Sequence, residues 1–139
     1  MNRLLKRKIN IFLKEAEKIC NINFAYLFGS YARGEENENS DIDIAIMPDI
    51  TGIDKKSEIF MRGNLIELGK SIFEKDVDIV FLSVDSVFLK YKIVCEGKVI
   101  KDSDDRIDFE SLALREYFDF QYYSDYYNKQ MLKFSNRGV

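Results

Sequence analysis

The stretch LFGSYARGEENENSDIDIAI, Leu27 to Ile46, decides how this chain is read. It opens apolar, turns at Gly29-Ser30, crosses a polar and acidic segment, and returns to an apolar run carrying Asp41 and Asp43. Side chains on a strand alternate between faces, so residues two apart point the same way, roughly 7 Å apart at Cα. Asp41 and Asp43 therefore share one face, and Ile42, Ile44 and Ile46 share the other. Neighbouring carboxylates repel and are costly to ionise together without a cation. All-oxygen ligands favour Mg²⁺ or Mn²⁺, and such a pair holds one ion or shares two about 3.5–4 Å apart. Asp-x-Asp alone also describes a strand with one wet face, so the pair needs further support.

Gly29-Ser30 supplies some. Glycine lets a backbone approach a phosphate closely, and a turn that opens a helix offers N–H groups to anions. Ser30 adds a hydroxyl and can cap a short helix at Tyr31-Ala32-Arg33. Arg33, one turn on, adds a cation. A strand ending in Gly-Ser, a ten-residue connector and a strand opening with Asp-x-Asp bring together a phosphate grip and a metal site. VDIV offers a third carboxylate: Asp78 stands between Val77 and Ile79, where an unpaired carboxylate is expensive. If its strand lies beside the second, Asp78 joins the pair and can accept a proton from an attacking hydroxyl. Asp76 shares its strand face and competes for that role.

The 139 residues fit one compact domain, and 46% hydrophobic residues allow a sizeable core. No apolar run approaches the roughly 20 residues of a membrane helix. The basic N-terminus lacks the uninterrupted apolar core of a signal peptide, so a cytoplasmic protein is expected. Cys20 and Cys95 form no CxxC pair and read as reduced, partly buried residues. With no histidine in the chain, His-based acid–base catalysis, Ser-His-Asp triads and His-ligated zinc are excluded. The net charge of −3 argues against a broad nucleic-acid footprint. Six Lys/Arg against two Glu in the first 20 residues read as the wet face of an amphipathic helix.

Apolar spacing predicts a helix over residues 3–20 and a strand at INFAYLFG. A second strand at SDIDIAIM is stopped by Pro48. A helix over 54–73 follows, with Ile59, Phe60, Leu65, Ile66, Leu68 and Ile72 as apolar candidates, although Gly63 and Gly69 weaken it. VDIVFL is a third strand. Residues 86–95 read as a helix ended by Gly97, KVIK as a short strand, and 104–133 as a long final helix. The class is α/β or α+β: a small mixed sheet flanked by helices. One domain over 1–139 is expected, with a catalytic core in 1–84 and a helical part in 85–139.

With Gly29-Ser30, Asp41-Ile42-Asp43 and Asp78 at these spacings, the chain resembles the DNA polymerase β-type nucleotidyltransferase superfamily, in its minimal form. The segment LKYKIVCEGKVIKDSDDRIDFESLALREYFDF is similar to the C-terminal half of MntA-type antitoxins, which pair with a HEPN-domain toxin. The resemblance covers nearly the whole chain, specifically in the first half and more loosely in the second. It implies Mg²⁺-dependent transfer of AMP from ATP to a tyrosine hydroxyl of the HEPN RNase toxin, which silences it. Gly29 and Ser30, with Arg33, would grip the triphosphate. Asp41 and Asp43 would hold two Mg²⁺ ions, and Asp78 would help bind metal and activate the hydroxyl.

YFDFQYYSDYY lies in the last helix. Phe109, Ala113, Phe120, Tyr123, Tyr127 and Met131 share one face and read as a core stripe. Phe118, Tyr122 and Tyr126 lie opposite, and are expected to contact the toxin or a second copy of the chain. Asp119 and Asp125 count against RNA there. Two other functions remain open: nucleotidyl transfer to a small hydroxylated molecule or an RNA end, and masking of a partner without catalysis. Small-molecule members usually carry an extra substrate domain, and RNA-tailing members more positive charge. An intact Gly-Ser and three carboxylates count against a purely masking protein.

Overall fold

A computed structural model describes residues 2–84 and 86–137. The expected division between 84 and 85 abuts Asp85, which lies outside the described residues. The elements run α1 (Arg3–Ala16), β1 (Ile22–Phe28), α2 (Ser30–Arg33), β2 (Ile42–Pro48), α3 (Lys55–Phe73), β3 (Val77–Phe81), α4 (Val87–Glu96), β4 (Lys98–Lys101) and α5 (Asp105–Arg137). The class is the mixed one expected, a four-stranded sheet flanked by helices and followed by a long terminal helix. Among the described residues no helix is long and apolar enough to cross a membrane.

The sheet order is β3-β2-β1-β4. β1 is antiparallel to β2 and β4, and β2 is parallel to β3. Strand alternation divides the core in two. Ala25 and Leu27, Ile42, Ile44 and Ile46, and Val77, Ile79 and Phe81 pack against Leu5, Ile9, Phe12 and Ala16 of α1 and Leu65 and Phe73 of α3. On the opposite face Phe24, Tyr26, Ala45 and Leu82 meet Ile93 of α4, with Phe109 of α5 alongside. The Tyr26 hydroxyl donates to Glu110 Oε1 at 2.7 Å, which also accepts from Arg106 at 2.8 Å. Burial and the Glu110 carboxylate hold that phenol well above its ordinary range, so it stays a neutral donor linking β1 to α5.

Several expectations are corrected. α1 ends at Ala16 rather than 20: Lys18 and Ile19 donate three residues back, to Glu15 and Ala16, tightening the last turn before β1. Pro48 does not stop β2 at Met47 but is its last residue, paired with Ile22. Ile59 and Phe60 are exposed, while Leu65, Gly69 and Phe73 form the buried stripe of α3. Gly69 is there because a Cβ would sit 2.9 Å from Val77 Cγ1. Cys20 is buried, but Cys95 is exposed.

The largest correction concerns α5. Of the proposed core stripe only Ala113 is buried and Phe109 partly so, its ring tilted against Phe24 at 5.2 Å between centroids. Tyr117 stacks on Tyr91 of α4 at 3.6 Å. From Phe118 to Leu132 the large apolar and aromatic side chains on both sides are 54–70% exposed. Length accounts for this. The 33 residues of α5 extend about 50 Å, whereas the roughly 100 residues before it pack into a body about 33 Å across. The C-terminal half therefore extends past the sheet.

Candidate functional site

β1 ends at Phe28 opposite Asp43, and Asp43 stands opposite Asp78 across the parallel pair. One row across the sheet end therefore reads Phe28, Asp43, Asp78. Asp43 and Asp78 project to the same face as Ala45 and Val80, the face that carries α4 and α5. Those helices cover the β1 side of it and leave the β2–β3 side open. Asp43 is half-buried, and Asp41 and Asp78 are exposed. Asp76 precedes β3, and its carbonyl accepts from the Ile42 N–H at 3.0 Å.

The electrostatics follow from this placement. Burial, then the charges of Asp78 and Asp41, push the Asp43 carboxyl above the ordinary carboxylate range, and Arg33 partly offsets the effect. Asp43 thus senses both other carboxylates, which is the repulsion a bound dication relieves. The donors are all oxygen, as Mg²⁺ prefers. Among the described residues no three metal-ligating side chains already enclose a common point, but Asp41 and Asp78, being exposed, have room to rotate toward Asp43.

Gly29 lies directly beneath this cluster. Its φ of 73° and ψ of −153° suit glycine almost alone, and a Cβ there would collide with the Asp43 carboxylate. Ser30 is the first residue of α2, with Gly29 before it, and no side chain caps the helix. The expected Ser30 cap is thus absent, which leaves its hydroxyl for other work. With only four residues in α2, an anion here would meet local N–H groups and the tight turn, not a long helix dipole. Gly34, in the left-handed region, ends the turn. The connector is internally braced: Asn37 N–H donates to Ser40 Oγ at 2.9 Å, and Lys75 Nζ donates to the Glu38 carbonyl at 3.0 Å. Asp41 is thereby delivered to the start of β2.

Arg33 is close enough to lower the Asp43 pKa, but it is also engaged elsewhere. Its Nε donates to Glu35 at 3.0 Å and its Nη1 to Glu96 of α4 at 3.3 Å, contacts that raise its own pKa. Glu96 was not among the residues singled out in the sequence. It lies 63 positions from Arg33, and no local pattern marks it. Asp78 also borders an open cleft of about 610 Å³ between α3, β3 and the start of α4. That cleft was equally invisible in the sequence.

Comparison with known proteins gives a consistent picture. Residues 7–106 match the family described as Polymerase beta, Nucleotidyltransferase. The protein adenylyltransferase MntA of Shewanella oneidensis is 36% identical over 98 residues, 70% of this chain and 66% of that protein. The chain therefore spans just under two thirds of that relative's length. A solved toxin–antitoxin structure with AMP-PNP aligns with a TM-score of 0.73 at 28% identity, over 91% of this chain and 98% of the other. The structure of a tri-AMPylated Shewanella oneidensis HEPN toxin in complex with MNT antitoxin aligns at 0.69 and 26% identity, over 95% and 99%.

Proposed function

The chain belongs to the polymerase β nucleotidyltransferase family, and from that premise we propose that it is an antitoxin that moves AMP from ATP to a tyrosine hydroxyl of a cognate HEPN-domain toxin. The observation that carries the reading is Asp43 beside Asp78 at one open sheet end, with Gly29 packed against the Asp43 carboxylate. The adenylyltransferase and toxin–antitoxin relatives support the acceptor class.

In this reading Gly29 and Ser30 bind the triphosphate, and Arg33 moves from Glu96 toward its charge. Asp41, Asp43 and Asp78 would hold Mg²⁺, two ions in the full site. When bound there, the metal would supply charge neutralisation at the α-phosphate and at the departing pyrophosphate. Asp78 accepts the proton of the incoming hydroxyl as its oxygen bonds to the α-phosphorus. The bond from that phosphorus to the bridging oxygen breaks, and pyrophosphate leaves. The overhanging half of α5 is the surface for the toxin or a second copy, because its exposed aromatics suit interface anchors. The setting is cytoplasmic, where ATP is plentiful, and neither a membrane nor nucleic acid takes part. The chemistry is assigned to one domain over 1–139, with its catalytic core in 1–84.

The test of the site separates the two rival carboxylates. With ATP, Mg²⁺ and the HEPN partner, Asp78→Asn abolishes transfer while Asp76→Asn retains it. Retained transfer by Asp78→Asn removes the assignment.

A further inference from the structure

We infer that the acceptor protein presents its hydroxyl on an extended segment that adds as a strand to the outer edge of β3, in the cleft between α3 and α4. This rests on the transferase reading above and names how its substrate docks.

β3 ends the sheet: among the described residues it pairs only with β2. The phase of that pairing is set by two bonds, Ile42 N–H to the Asp76 carbonyl and Leu82 N–H to the Ile46 carbonyl at 2.8 Å. In a parallel pair the residues of a strand alternate, one directing both backbone groups to its neighbour and the next directing both away. The even-numbered residues of β3 thus serve β2. Val77 and Ile79 turn both their N–H and C=O groups to the open edge, and Phe81 its N–H, while the Phe81 carbonyl accepts from the Val84 N–H at 3.2 Å. An edge of that kind is a template for another extended chain.

The surroundings fit such a chain. The edge forms the floor of the 610 Å³ cleft, whose walls include Ile59 and Ile66 of α3 and Leu89 of α4. Ile59 is exposed there despite its size, and alternate side chains of an added strand would cover it. Lys55 and Arg62 also line the cleft. Glu58 lies on the same wall, and among the described residues none of the three is in an ion pair, so the incoming segment meets two cations and one carboxylate on the α3 side.

Direction of attack points to the same edge. Nucleophile and leaving group lie in line on opposite sides of the phosphorus. Across the sheet end the order is Phe28 with Gly29 just beyond it, Asp43, Asp78, then the open edge. Pyrophosphate held at Gly29-Ser30 therefore places the attacking hydroxyl on the Asp78 side, where the cleft begins.

The experiment uses the full chain and its HEPN-domain partner. Amide hydrogen exchange across 77–81 is measured with and without the partner, alongside KM values for wild type and Arg62→Glu. The proposal expects Ile79 and Phe81 amides to exchange at least about tenfold more slowly in the complex, with Arg62→Glu raising KM for the partner and leaving KM for ATP unchanged. Unchanged exchange at both amides overturns it, even if AMP is transferred. A rise in KM for ATP alone assigns the cleft to the nucleotide and also overturns it. Edge protection without any transfer retains the docking surface and removes the transferase reading instead.

Discussion

Replacing Gly29 with alanine tests both the backbone and the chemistry of the site. At φ 73° and ψ −153° a residue with a Cβ is strained by about 1–3 kcal/mol. Unfolding entropy is about 2.1 cal/mol/K per residue, so for 139 residues each kcal/mol lowers Tm by about 3.4 °C. Gly29→Ala should therefore melt about 3–10 °C below wild type. Its Cβ would also occupy the place of the Asp43 carboxylate, which must rotate away. A displacement near 1 Å at a reacting centre costs about 100-fold in rate, so kcat for AMP transfer should fall at least that far. Gly34→Ala is the control. Its φ is also 73°, but a Cβ there meets nothing within 4 Å. The left-handed penalty of about 1–2 kcal/mol should lower Tm by a few degrees without changing transfer. Calorimetry and a single-turnover transfer assay read both quantities. Wild-type transfer by Gly29→Ala, or equal loss of transfer in both variants, would refute the argument.

Two further outcomes are expected. The raised Asp43 pKa means that the folded protein holds this proton more tightly than the unfolded chain. The resulting stability is present below the unfolded carboxylate value, about 3.9, and lost as pH rises through the folded value. In chelator, Asp43→Asn should then melt above wild type at neutral pH, with the difference vanishing in acid; a lower Tm at neutral pH sinks this reading. Tyr122→Asp, on the exposed half of α5, should weaken partner binding at least about tenfold, as loss of an aromatic anchor does, with little change in Tm; undiminished co-purification places the interface elsewhere.

The parts of the site that rest on short-range rules were legible. Alternation put Asp43 on the face opposite the isoleucines, and Val77 and Ile79 marked Asp78 as a strand residue; Asp41, expected on the strand with Asp43, stands one residue before β2. The register that sets Asp78 beside Asp43 required strand order, which a single sequence does not contain. The same gap hid the open edge of β3 and the meeting of Arg33 with Glu96. Helical periodicity correctly grouped Phe109 with Ala113 and with Tyr123 and Tyr127. It could not say that the sheet ends before the helix does, so four of the six residues of a predicted core stripe face solvent. Ser30 was misjudged as a cap because a glycine with free backbone geometry can take that position itself.

The most direct measurement is the intact mass of the HEPN-domain partner after incubation with this chain, ATP and Mg²⁺. The account predicts a gain of one or more adenylyl groups on the partner with wild type, and none with Asp43→Ala. A partner mass that stays unchanged with folded wild-type protein would contradict it.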